Sequence, residues 1–209
     1  MTDVPDGVTH WDGPGLDAWQ PWTPSEAARH LRASDVPWCV VGGWAIDLFL
    51  GEPTRPHEDL EIGVLRADFT AVRRTLGNFE FFVVGDGEVR ALPRDGLPPD
   101  DKHQNWVLDV DASAWRTDVM LEPGDARVWT FRRDPSISAP REFMVDRTAD
   151  SIPFLAPQGV LLYKAKAPRP KDEADFSACL PRLTPPTRTW LRETLQHVHP
   201  EHPWIERLP

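Results

Sequence analysis

Residues 38–64 read WCVVGGWAIDLFLGEPTRPHEDLEIGV: an apolar strand, two glycines, a helically spaced stretch closed by Gly51, and a second strand that opens with Asp59 and Glu61. This order constrains the chain more than any other stretch, because strand, Gly-Gly turn, short helix and return strand have to pack as one unit. Successive strand side chains alternate between faces, so Asp59 and Glu61 share one face while Leu60 and Ile62 enter the core. Two carboxylates side by side resist joint ionisation unless a cation lies between them. Magnesium answers that need, being a hard ion that takes a few carboxylates and completes its shell with water and phosphate oxygens. The competing reading of the acid pair alone is an exposed strand end with solvated carboxylates.

Gly42 and Gly43 add weight to the first reading. Glycines at a strand-to-helix junction let backbone N–H groups approach an anion, and the helix that follows offers its positive end to phosphate. No GxxxxGK[ST] occurs in the chain, so the cradle is not a P-loop. Phosphate grip and metal grip side by side are more specific than either alone.

Composition narrows the partners. With 23 Lys and Arg against 33 Asp and Glu, the net charge of −10 argues against broad adhesion to nucleic acid and suits either a cationic partner or plain solubility. No apolar run approaches the ~20 uncharged residues of a membrane span. The start, MTDVPDGVTHWDGPG, lacks the basic and apolar segments of a secretory signal, so cytoplasmic residence is expected. Cys39 and Cys179 are too few for a disulfide framework and read as buried thiols, and no Cys/His spacing suggests zinc.

Elsewhere Thr23-Pro24-Ser25-Glu26 reads as a capping box opening a helix to about Ser34. Strands are expected at 38–41, 60–65, 79–84, 106–110 and 115–121, with an edge at 128–131. Helices are expected at 44–50, 68–76, 158–167, 171–180 and 187–198. The chain divides into a mixed α/β part over residues 1–150, with an N-terminal extension, and a C-terminal helical region over 151–209.

The stretch VVGGWAIDLFLGEPTRPHEDLEIGV resembles the nucleotidyltransferase superfamily of the polymerase-β type, whose signature is strand, Gly-Gly or Gly-Ser, helix, and a strand with Asp-x-Asp or Asp-x-Glu. Within it the segment is most similar to the aminoglycoside and lincosamide nucleotidyltransferases, which follow Gly-Gly-Trp-Ala-Ile-Asp with a basic-His-acidic stretch; here that stretch is Arg55-Pro56-His57-Glu58. Glu61 departs from the Asp common in the antibiotic enzymes. The resemblance implies an α+β fold, a mixed sheet flanked by helices with a small C-terminal helical part. It also implies a third carboxylate on a neighbouring strand, serving as general base and metal ligand. Asp109, Asp111 and Asp118 are candidates; Asp118 is preferred because an acid among Val119, Met120 and Leu121 is costly unless used.

The implied activity is magnesium-dependent transfer of a nucleoside monophosphate, AMP from ATP or another NTP, to a hydroxyl of a small acceptor, with a cationic aminoglycoside-like antibiotic among the candidates. Two Mg²⁺ ions would be held by Asp59, Glu61 and Asp118. Gly42, Gly43, Lys164 and His57 are assigned to the nucleotide, although a lone His before a strand also reads as a loop hydrogen-bonder. Glu122, by parity on the face of Asp118, either orients the substrate or lies at the rim. Asp172 and Asp175 either meet a cationic acceptor or serve the helix they begin, and Trp44 reads as a core anchor. Two rivals stand beside this reading: a nucleotidyltransferase directed at protein or tRNA, and an inactive nucleotide-binding relative.

Overall fold

A computed structural model of the chain describes residues 13–208. The N-terminal stretch read as lacking a secretory signal lies, up to residue 12, outside the described residues. Helix α1 (Pro24–His30) opens with the expected capping box, the Thr23 hydroxyl accepting from the Glu26 N–H and the Glu26 carboxylate from the Thr23 N–H. It leads to β1 (Trp38–Val40), α2 (Gly42–Leu50) and β2 (Glu61–Leu65). Gly51 ends α2 in the left-handed conformation, φ 77°, its N–H closing on the Asp47 carbonyl. Helix α2 takes in both glycines as its first two residues, so they form the helix N-terminus itself and not a turn before it.

A single 3₁₀ turn and α3 (Phe69–Thr75) precede the hairpin of β3 (Glu80–Gly85) and β4 (Glu88–Ala91). The connection is Asp86-Gly87, both at positive φ, the pairing that a tight two-residue hairpin demands. Strands β5 (Gln104–Asp109) and β6 (Ala114–Glu122) form the next hairpin. The expected edge at 128–131 is β7 (Val128–Thr130), but it pairs with β8 (Ser138–Pro140) in a separate two-stranded ribbon. A short α4 (Arg141–Met144), β9 (Val145–Arg147) and β10 (Pro153–Leu155) follow. The chain then turns helical through α5 (Pro157–Lys164), α6 (Pro170–Cys179), α7 (Pro185–Val198) and α8 (Trp204–Arg207).

Among the described residues the main sheet has eight strands in the order β4-β3-β5-β6-β2-β1-β10-β9. It is mixed: β2 runs parallel to β6 and β1 parallel to β10, and the other pairs are antiparallel. The α+β class read from the sequence is therefore the class observed. Strand β10 enters the sheet from beyond residue 150, tying the C-terminal helices to β1.

Alternation along the two central strands does the sorting. Leu60, Ile62, Val64, Val119 and Leu121 are fully buried in the main core. The opposite parity carries Glu61, Asp118, Met120 and Glu122. A second cluster of Phe82, Leu108 and Trp115 packs under Trp19 and Trp106 and closes the far end of the sheet. No helix among the described residues is long and apolar enough to cross a membrane.

Candidate functional site

The parallel register of β2 and β6 places Glu61 directly beside Asp118. Asp118 is 2% exposed; its Oδ2 accepts from Gln104 Nε2 at 2.6 Å, and its Oδ1 has no hydrogen-bond partner. Burial first, and then the charge of Glu61, push its carboxyl well above the usual carboxylate range. Glu61 is raised for the same reasons, burial and then Asp59, against the opposing pull of Lys164, Arg169 and Lys171. Burying acids in sequence, Asp59 acting on Glu61 and Glu61 on Asp118, costs folding energy, the condition under which a cation is taken up.

Asp59 stands exposed just ahead of β2, and its charge reaches both partners. Among the described residues no three His, Cys, Asp or Glu side chains are gathered as an ion-binding group. The Glu61–Asp118 pair nevertheless fits a hard cation: its donors are all carboxylate oxygens, one of them buried and unpartnered. The other third-carboxylate candidates are placed elsewhere. Asp109 holds Arg116 at the end of β5 through 3.1 and 3.2 Å contacts, and Asp111 is exposed in the β5–β6 turn.

Gly42 is bounded by Glu61 and Gly43 by the loop that precedes β2. Gly42 has φ 63°, and a β-carbon there would overlap the Glu61 carboxylate. A β-carbon on Gly43 would meet the Arg55 guanidinium and lie 2.8 Å from His57 Nδ1. The N-cap, Val41, supplies no side-chain hydrogen bond and the first turn of α2 holds no acid, so its N–H groups are left for an anion.

His57 takes the loop hydrogen-bonding role. Its Nε2 lies 2.6 Å from Asp47 Oδ2, its Nδ1 lies 3.1 Å from Arg55 Nη1, and its ring stacks on Trp44 at 4.5 Å. With Arg55 donating to Nδ1, the bonding assigns the proton to Nε2. Thr54 completes the knot, donating twice to Asp47 Oδ1.

From there a chain of charges crosses to the C-terminal helices. Arg55 Nη2 stands 3.7 Å from Asp175 Oδ2, and the same oxygen lies 3.0 Å from Lys164 Nζ. Lys164, only 10% exposed, also donates to Asp172 Oδ1 at 2.6 Å. Asp172 takes three further hydrogen bonds from Arg169, through its backbone N–H, its Nε and its Nη2. Burial opposes ionisation of Asp172, but the hydrogen bonds from Arg169 and Lys164 outweigh it and hold the carboxyl well below its usual range. Asp172 and Asp175 thus fix Lys164 in place, which the sequence left open.

Two hollows meet at Glu61 and Lys164. One is walled by Gly43, Arg55, Asp59 and Lys171. The other, about 280 Å³, runs over Met120, Leu155, Val160 and Tyr163 with Glu122 and Arg132 beyond. Glu122 is 5% exposed, and burial, opposed by Arg141 and Arg132, raises its carboxyl to about 7. Arg55, Gln104, Arg132, Arg133 and Arg169 escaped the sequence reading. Only Arg55 carried a signal, as the basic residue of the basic-His-acidic stretch.

The fold is of the nucleotidyltransferase type. It is similar to the crystal structure of ANT(2'')-Ia in complex with adenylyl-2''-tobramycin, with a TM-score of 0.52 at 15% identity over 83% of this chain and 97% of that one. The lincosamide antibiotic adenylyltransferase LnuA, in its lincomycin-bound crystal structure, gives a TM-score of 0.49 at 16% identity over 74% and 90%. Residues 25–95 match the family model described as aminoglycoside-2''-adenylyltransferase. That segment contains the whole Gly-Gly and Asp-x-Glu motif and supports the resemblance read from it. No curated protein matches the sequence.

Proposed function

We propose that the chain transfers a nucleoside monophosphate, AMP from ATP, to a hydroxyl of a small molecule and releases pyrophosphate. The carrying observation is the Glu61–Asp118 pair, both raised by burial and by a neighbouring acid (Asp118 by Glu61, Glu61 by Asp59), beside a helix N-terminus with no cap of its own. The family match over 25–95 supports it, because that segment holds Gly42, Gly43, Asp59 and Glu61.

In this reading the N–H groups at Gly42 and Gly43 and the cations Lys164 and Arg169 hold the triphosphate oxygens. Asp59, Glu61 and Asp118 would hold two magnesium ions, which when bound neutralise triphosphate charge and favour departure of pyrophosphate. Asp118 takes the proton of the acceptor hydroxyl. The hydroxyl oxygen forms its bond to the α-phosphorus as the bond from that phosphorus to the β-bridging oxygen breaks, and pyrophosphate leaves with that electron pair. A hollow of about 280 Å³ lies at the small end of ligand pockets, roughly 300–1,000 Å³, which favours a small acceptor over a protein or tRNA. Tobramycin, adenylylated in the similar crystal structure, is a hydroxyl-bearing small molecule. A reaction that draws on ATP suits the cytoplasm.

The test is pyrophosphate release from magnesium and ATP with a panel of hydroxyl-bearing small molecules. Release that depends on both metal and acceptor is expected. No release with any acceptor, together with ATP binding indifferent to magnesium, would sink the reading.

A further inference from the structure

The family match ends at residue 95, whereas the wall of the 280 Å³ hollow beyond Glu61 is built from residue 120 onward. The match therefore speaks for the nucleotidyl half of the site and is silent on the acceptor. The charges of that wall do not suit a polycation. Its acids are already within reach of cations: Asp172 holds Lys164 and Arg169, and Glu122 lies in the field of Arg141 and then Arg132, bonded to neither. Glu61 belongs to the carboxylate pair.

The cations are less well matched. Arg132 lies over the Tyr163 ring, its guanidinium carbon 5.7 Å from the centroid, and among the described residues its guanidinium makes no hydrogen bond or ion pair. Arg133 covers the same ring at 5.2 Å and spends only Nη1, on the Tyr163 carbonyl at 2.6 Å. Lys166 on the same rim has no carboxylate partner among the described residues. A neighbouring imidazole registers the excess: His103 is lowered to about 4 by burial and then by Arg132, Arg66 and Arg133. Further ammonium groups placed here would add like charge at short range. A planar anion would meet the free fork of Arg132.

We infer that the acceptor carries an anionic group, a carboxylate or a phosphate, seated on Arg132 and Arg133, with its apolar body against Met120, Leu155 and Val160. This rests on the transferase reading of the same site, and it replaces the aminoglycoside-like polycation with an acceptor of the opposite sign.

Three probes test it: 4-hydroxyphenylacetate for the carboxylate, glucose 6-phosphate for the phosphate, and tobramycin for the polycation. Each is titrated calorimetrically into protein loaded with magnesium and a non-hydrolysable ATP analogue, and each is assayed for pyrophosphate release with ATP. At least one anionic probe should bind ~10-fold more tightly than tobramycin, and Arg132→Gln with Arg133→Gln should erase that ~10-fold preference while ATP affinity stays within about twofold. Arg132→Lys, which keeps the charge and loses the fork, should fall between. Tighter binding of tobramycin, or binding of neither anion, overturns the inference. So does a double variant that loses ATP affinity instead, since the arginines would then serve the nucleotide. Anion binding without any pyrophosphate release would leave the subsite standing and overturn the transferase reading alone.

Discussion

The Glu61 carboxylate occupies the space that a β-carbon on Gly42 would need. Gly42 is thus required twice over, by its φ of 63° and by the acid pressed against it. Gly42→Ala should cost roughly 1–3 kcal/mol of stability and expel Glu61 from its place. Adding Glu61→Ala should restore part of the loss, read as the melting temperatures of single and double variants. Equal melting temperatures would show that the backbone alone sets the requirement.

Gly43 is bounded by different neighbours, Arg55 and His57. Gly43→Val should displace them, breaking the tether from Asp47 through His57 to Arg55, and weaken ATP binding in a magnesium-containing titration. A variant that folds and binds ATP as before would reduce this glycine to a packing role.

Asp118→Asn should lower turnover by the ~10²–10⁴-fold typical of a lost general base, and by more if a metal ligand goes with it. Much of the ATP affinity should remain, supported by Asp59 and Glu61. Asp109→Asn, which loses only the Arg116 contacts, should retain near-normal turnover. Initial rates of pyrophosphate release separate the two, and the reverse ranking would move the base to β5.

What could be read in the sequence was local. The Thr23–Glu26 box, the Gly51 stop and the alternation that buries Leu60 and Ile62 each depend on neighbours a few residues apart. Asp118 was legible because an acid amid apolar strand residues is expensive. The β3–β4 hairpin carried its own signal, Asp86-Gly87, and was passed over. By contrast β8, β9 and β10 are three-residue strands whose pairing comes from the tertiary fold, so no periodicity marks them. The lock of Asp172 and Asp175 on Lys164 likewise depends on how α5 meets α6. Nothing in the run Phe131-Arg132-Arg133 shows that its cations face a hollow.

Glu122 makes stability depend on pH. Its carboxyl rises from 4.5 to about 7 on folding, so its contribution is fully present below pH 4.5 and is lost as pH climbs through 7. The loss amounts to about 3 kcal/mol. Asp172, held low, stays ionised across that window. Urea unfolding of metal-free protein should therefore give a lower free energy at pH 8 than at pH 5, with the difference reduced in Glu122→Gln. An unchanged difference in the variant would clear Glu122 of the effect.

Asp175 stands between two cations, 3.0 Å from Lys164 and 3.7 Å from Arg55. Asp175→Asn should leave both partly uncompensated at a cost of roughly 1–3 kcal/mol, with Lys164 still held by Asp172. Lys164→Met should instead cost ATP affinity, because it removes the cation itself. Calorimetric ATP titration beside thermal melting distinguishes the two, and normal ATP binding by Lys164→Met would take the lysine out of the nucleotide site.

The charge chain from Asp47 to Asp172 also orders events at the ribosome. Asp47, Arg55, His57, Glu61 and Asp118 leave the exit tunnel well before Lys164, Asp172 and Asp175. Until α5 and α6 emerge, Arg55 has no Asp175, and Glu61 of β2 lacks the opposing pull of Lys164. A nascent chain therefore holds its carboxylates before the cations that steady them.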